Sequence, residues 1–65
     1  MDDARIAVGV ADAAKRLGIG NAKTRQLIRE GHLRSFQIGD RRLIEVDELR
    51  RFVAERRTAE ASNGK

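Results

Sequence analysis

Cysteine is absent from the 65 residues, which excludes disulfides and thiolate metal sites. The only histidine is His32. A structural zinc site would have to rest almost wholly on carboxylates, a poor donor set for that ion, so no metal and no cofactor are expected. Long apolar runs are missing too. The longest, Ile6 to Ala11, contains Gly9. It falls far short of the ~18 residues of a membrane span, and no signal-peptide core is present. The expectation is a soluble cytoplasmic protein with no membrane partner. Bulk is also scarce. A chain of ~60 residues buries only about 60% of its unfolded surface, leaving no room for a catalytic cleft of ~300 Å³ beside the core. Tyrosine is absent and the hydroxyls are Thr24, Ser35, Thr58 and Ser62. His32 and Ser35 could pair, but no third group stands at a spacing that would orient them. Gly18 and Gly20 lack the spacing and the following Lys-Ser/Thr of a phosphate loop. No enzyme is expected.

Charge is what the chain has in quantity. Fourteen Lys and Arg face ten Asp and Glu, a net +4. Residues 1–20, 43–57 and 58–65 each balance to zero. The whole excess lies in 21–42, where Lys23, Arg25, Arg29, Arg34, Arg41 and Arg42 stand against Glu30 and Asp40. One basic block in a small domain points to a polyanion partner. A solvated basic face is the competing reading, and charge alone does not choose between them.

Periodicity organises the block. Val10, Ala13, Ala14 and Leu17 mark one face of a short helix over 10–17, with Gly18 at its C-cap position. Gly18-Ile19-Gly20-Asn21 makes a tight turn, with Ile19 directed at the core and Gly20 or Asn21 capping the next helix. That second helix, over 21–30, buries Thr24, Leu27 and Ile28 and stops at Gly31. Two helices joined by so short a Gly-containing turn form a helix-turn-helix pattern, which ordinary helical hairpins also share. The outward face of the second helix carries Ala22, Gln26 and Arg29, flanked by Lys23 and Arg25. Gln matches adenine edges, Arg matches guanine O6/N7, and flanking cations suit phosphates. The same residues are also good helix formers on any wet face.

Phe36-Gln37-Ile38, a Gly39-Asp40 turn and Leu43-Ile44 read as a two-stranded hairpin over about 35–38 and 42–45. Phe36, Ile38 and Ile44 are expected to pack on the helices. Asp40, Arg41 and Arg42 form the tip, either as a wing that reaches DNA or as charges that guard an edge strand. A third helix carries Val46, Leu49, Phe52 and Val53 inward. Its acidic start (Glu45, Asp47, Glu48) and basic end (Arg56, Arg57) suit the helix macrodipole. Residues 58–65 lack apolar periodicity and are expected to be disordered, and 1–7 form an N-terminal arm. The fold class is mainly α with a small β-hairpin: three short helices and a two-stranded wing over 8–57. No sustained heptad seam is present, so a monomer is expected in free solution.

Four segments taken in order carry a resemblance: Val10-Ala-Asp-Ala-Ala-Lys-Arg-Leu-Gly-Ile-Gly, Leu27-Ile-Arg-Glu-Gly-His-Leu-Arg-Ser, Ile38-Gly-Asp-Arg-Arg-Leu-Ile and Asp47-Glu-Leu-Arg-Arg-Phe-Val. Together they resemble the excisionase-family DNA-binding proteins, which have a MerR-like winged helix-turn-helix, over about residues 8–55. The resemblance implies that the second helix is the recognition helix, with Ala22, Lys23, Arg25, Gln26 and Arg29 toward the major groove. Arg34, Arg41 and Arg42 would make the wing and backbone contacts. It implies a phage or prophage recombination directionality factor that binds repeated attachment-site DNA cooperatively, self-associates only along it, bends it and assists a tyrosine integrase. The absence of a dimerisation helix or effector domain among the 65 residues points the same way. A winged helix-turn-helix repressor is the alternative, and a basic protein-interaction module without a DNA role is a third reading. The chain departs from the family pattern in three places. Asp40 stands where a basic residue is common, Arg25 where an aromatic is, and Glu45 where proline is. Ala22 offers a base no more than a methyl contact.

Overall fold

The computed structural model describes residues 6–63. The order is β1 (Ala7–Gly9), α1 (Val10–Leu17), α2 (Asn21–Arg29), β2 (Phe36–Ile38), β3 (Arg41–Glu45) and α3 (Val46–Asn63). Among the described residues no helix is long and apolar enough to cross a membrane.

The two short helices end alike. The N–H of Ile19 donates to Ala14 O at 3.0 Å and that of Gly18 to Lys15 O at 3.1 Å. One motif later, His32 donates to Leu27 O at 2.9 Å and Gly31 to Ile28 O at 3.1 Å. Both are Schellman closures, which need a left-handed residue just past the helix; Gly18 (φ 77°) and Gly31 (φ 85°) supply it without a Cβ penalty. The closure at Gly18 turns the chain sharply enough to bring α2 onto α1. Ala13 and Ala14, 0% and 2% exposed, let the helices approach closely. Between them Thr24 is wholly buried, and its Oγ1 donates to Gly20 O at 3.0 Å, so no polar atom is stranded there. Ile19 is half-buried and packs against the core as its apolar character in the turn suggested.

The winged helix-turn-helix expected from the sequence is present, with one strand more than anticipated. β3 is central in an antiparallel sheet of order β1-β3-β2. Val8 pairs with Ile44, and Phe36 with Leu43. The Val46 N–H donates to Ile6 O at 2.8 Å, which carries the pairing to the start of α3. β1 thus anchors the hairpin to the body. Of the arm expected over 1–7, residues 1–5 lie outside the described residues and Ala7 opens β1.

The core is Val8, Ala13, Leu27, Leu33, Ile44 and Leu49, each 5% exposed or less. Phe36 and Ile38 do not join it; they are 38% and 62% exposed. The register explains the departure. Ile38 faces Arg41 and Phe36 faces Leu43, so both lie on the sheet face opposite Ile44. α3 also differs from expectation. It continues through Asn63, where disorder from Thr58 was expected, and only residues 64–65 lie outside the description. Arg56 and Arg57 are therefore not in its last turn, and the macrodipole does not explain them. Arg56 instead lies over the Phe52 ring, 5.3 Å from its centroid.

Candidate nucleic-acid interface

α2 buries Thr24 and Leu27 and turns Ala22, Lys23, Arg25 and Arg29 to solvent. The outward face deduced from helical spacing is therefore the exposed one, except at Gln26. That residue is half-buried, and its Nε2 donates to Glu30 Oε2 at 3.0 Å, one turn on.

Between α2 and the wing lies a groove of about 670 Å³. Its floor is Val10, Ile28 and Leu33, and its charged lining is Arg25, Arg29, Arg34 and Arg42. A second groove of about 650 Å³ continues past the hairpin, lined by Arg25, Arg41, Arg42, Lys15, Asp12 and Asp40. These volumes exceed the cleft for which the chain length was expected to leave no room. They are found as open grooves between elements, not as a cavity within the core. Arg25 and Arg42 belong to both grooves and so mark their common wall. Five arginines and a lysine against two aspartates concentrate positive potential along one concave surface, which draws in a polyanion.

The wing positions Arg42 through a chain of hydrogen bonds. Register sets Arg42 opposite Gln37. Its Nη2 donates to Gln37 Oε1 at 3.2 Å and its Nη1 to Ser35 Oγ at 3.2 Å. Gln37 Nε2 donates in turn to Gly39 O at 3.1 Å, which fixes its amide. The guanidinium is held over the groove with N–H donors left for a phosphate, at little further cost in side-chain freedom. Arg41 lies on the other sheet face. It folds back over β1, where a Cβ added to Gly9 would sit 3.1 Å from its Nη2. It reaches the second groove from there and does not project from the hairpin tip.

Arg34 is placed from α3. Its backbone N–H donates to Glu48 Oε2 at 2.8 Å. Glu48 is 8% exposed and takes a two-pronged bond from Arg51, whose Nε lies 2.9 Å from Oε1. Arg51 holds the Glu48 carboxyl down at about pH 2. Burial opposes that shift, and the Arg34 N–H adds to it.

The structure thus gathers Arg25, Arg29, Arg34, Arg41 and Arg42 along the two grooves. It leaves the exposed Ala22 and Lys23 and the half-buried Gln26 on the shoulder of α2, outside the groove linings. Lys15, Ser35 and Gln37 were missed by sequence reasoning. Lys15 sits in a stretch whose charges cancel, so a regional sum hides it. Gln37 could have been found by pairing residues outward from a two-residue Gly39-Asp40 turn, which sets it across from Arg42. Among the described residues no cluster of His, Cys, Asp and Glu could hold a metal ion.

A family model described as a helix-turn-helix domain matches residues 8–57. No curated protein and no solved structure matches the chain.

Proposed function

We propose that this chain, which belongs to the helix-turn-helix domain family, is a sequence-specific, DNA-bending excisionase that assists an integrase in removing phage DNA. The observation that carries the reading is the arginine-lined groove shared by α2 and the wing. An α-helix with its side chains is about 10–12 Å across and fits the ~12 Å major groove of B-DNA. With α2 seated there, Arg25, Arg34 and Arg42 line the path of the phosphates beside it, while Gln26 and Arg29 face base edges. The family includes excisionase-like DNA-binding proteins, and the four segments resembling that group support the finer assignment.

One such module reads a short half-site, and each mismatch costs only ~1–3 kcal/mol. Useful specificity then comes from several copies on neighbouring sites. Bending 20–30 base pairs by 40–90° costs on the order of 1–6 kcal/mol, to be offset by phosphate contacts from residues 21–42. Circular-permutation gel shifts on attachment-site DNA, paired with an excision-versus-integration assay, test this. Cooperative multi-copy binding, a curved product and stimulated excision are expected. A single straight complex with no effect on excision would move the assignment to a transcriptional regulator.

The base-reading role of α2 has its own test. Arg29→Ala is expected to cost ~1–3 kcal/mol on the specific site and to relax sequence preference. Lys23→Ala should weaken all sequences about equally and flatten the salt dependence. Fluorescence-anisotropy titrations on specific and random duplexes separate the two. An unchanged specific-to-random ratio in Arg29→Ala would remove α2 from the recognition role.

A further inference from the structure

We propose that Glu30 determines which base Gln26 reads. The proposal rests on the DNA-binding function above and adds a residue which that function leaves without a role. Glu30 caps α2 at its C-terminus, one turn beyond Gln26, and its Oε2 accepts an N–H from Gln26 Nε2 at 3.0 Å. A carboxylate only accepts, so the amide must turn its nitrogen toward Glu30 and its oxygen away. Reversing it would press the amide oxygen against a negative carboxylate. The main chain of Glu30 is fixed at the helix end, where its backbone N–H donates to Gln26 O at 2.9 Å, and its Oε1 lies 3.7 Å from His32 Nε2.

The tether leaves Gln26 one N–H and one carbonyl oxygen for a partner. In the major groove adenine offers N7 as acceptor and N6–H as donor, and that pair is the complement. Guanine offers two acceptors, N7 and O6. Against guanine the tethered amide can satisfy only one of them and sets its own oxygen against the other. An untethered amide can turn to donate both Nε2 hydrogens, and so accepts guanine as well. Glu30 is therefore a positioning residue. It touches no base, and acts by fixing the amide before DNA arrives, which also reduces the rotamer freedom lost on binding.

Selection from a randomised duplex library tests this with the full chain, Gln26→Ala, Glu30→Ala, Glu30→Gln and Glu30→Lys. The readout is the adenine-to-guanine ratio at the position whose preference disappears in Gln26→Ala. The unaltered chain is expected to favour adenine there on the order of tenfold, as one good base contact allows. Glu30→Ala should bring the ratio within about threefold, a loss of roughly half the contact's discrimination. In Glu30→Gln an amide oxygen still accepts from Gln26, so most of the preference should remain. Glu30→Ala and Glu30→Gln should both bind every sequence more tightly, since each removes one negative charge. Glu30→Lys is the sharpest variant. Its ammonium only donates, so it draws the Gln26 oxygen inward, turns both amide hydrogens outward and should move the preference to guanine. A lysine suits a helix C-terminus, so this variant is expected to fold. Adenine preference unchanged in both Glu30→Ala and Glu30→Lys would overturn the proposal. So would loss of a cytosine preference in Glu30→Ala with the adenine preference intact, since Glu30 would then be reading cytosine N4 directly. If the unaltered chain selects no sequence at all, the DNA-binding function fails as well. If Gln26→Ala loses a base preference that the Glu30 variants keep, only the positioning role of Glu30 fails.

Discussion

Glu48→Ala is expected to lower the thermal midpoint by on the order of 10–20 °C, taking ~4–8 °C per kcal/mol for a domain of this size. The physical reason is concentration of bonds on one buried carboxylate. Glu48 accepts from Arg51 and from the Arg34 backbone, and Arg51 also reaches Glu55 Oε1 at 2.8 Å and the His32 carbonyl at 3.4 Å. Together these bonds clip the segment between α2 and β2 onto the first turns of α3, beside the buried Leu33. Removing the carboxylate leaves the part-buried Arg34 N–H without its acceptor and takes from Arg51 its two-pronged partner, so that only Glu55 and the His32 carbonyl remain, a loss of ~2–3 kcal/mol. In a chain this short, total stability is only on the order of 3–10 kcal/mol.

The same residue sets the response to acid. The Glu48 pKa falls from its ordinary 4.5 to about 2 in the folded chain. A depressed folded value means that the ionised form is the stabilising one. Its contribution is complete above about pH 4.5 and is lost as the pH falls toward 2. The shift corresponds to about 3 kcal/mol. Arg51 is 40% exposed, so water screens the pair and about 2 kcal/mol is the expected measurable share. Glu48→Gln keeps an acceptor for the Arg34 N–H but has no proton to gain. Thermal melts of the two proteins between about pH 5 and pH 2 should converge as acid removes the advantage of the unaltered chain. Parallel slopes would mean that other carboxylates carry the acid response.

How far the sequence revealed all this depends on the range of the interactions. Local signals were legible. The spacing of Val10, Ala13, Ala14 and Leu17, and the two glycines that close α1 and α2, delimit the helix-turn-helix because a helix and its cap are decided within a few residues. Contacts across the chain were not. β1 is three residues inside an apolar run, and it becomes a strand only because Val8 finds Ile44, far along the chain. The hairpin was found but its faces were misassigned. Alternation places Phe36 and Ile38 together; only the pairing across Gly39-Asp40 shows that Ile44 lies on the opposite side. The turns of α3 beyond Arg57 escaped because no apolar stripe runs through them. At the site, the basic block predicted the groove's arginines. Which of them are held rigidly depends on Gln37, Ser35 and Glu48, whose roles come from tertiary contacts.

The wall shared by the two grooves singles out Arg25 and Arg42 for the largest loss of binding. Joint replacement by alanine is expected to reduce DNA affinity by two orders of magnitude or more, since a hydrogen bond to a charged group contributes ~1.5–3 kcal/mol. Both line each of the two grooves, and Arg42 reaches its position already bonded to Ser35 and Gln37. Because they share one wall, the two losses should not add independently, and a double-mutant cycle should show coupling of ~0.5 kcal/mol or more. Salt titration gives a second reading. If each arginine neutralises one phosphate, the slope of log K against log salt should shrink by ~0.9 per substitution. Gln37→Ala supplies the contrast. It keeps the charge and the slope but frees Arg42 to move, so affinity should fall by a smaller amount while the salt dependence stays the same. Arg25→Ala and Arg42→Ala proteins with unaltered affinity and slope would show that DNA does not run along this groove. Attention would then pass to Lys23 and the exposed shoulder of α2.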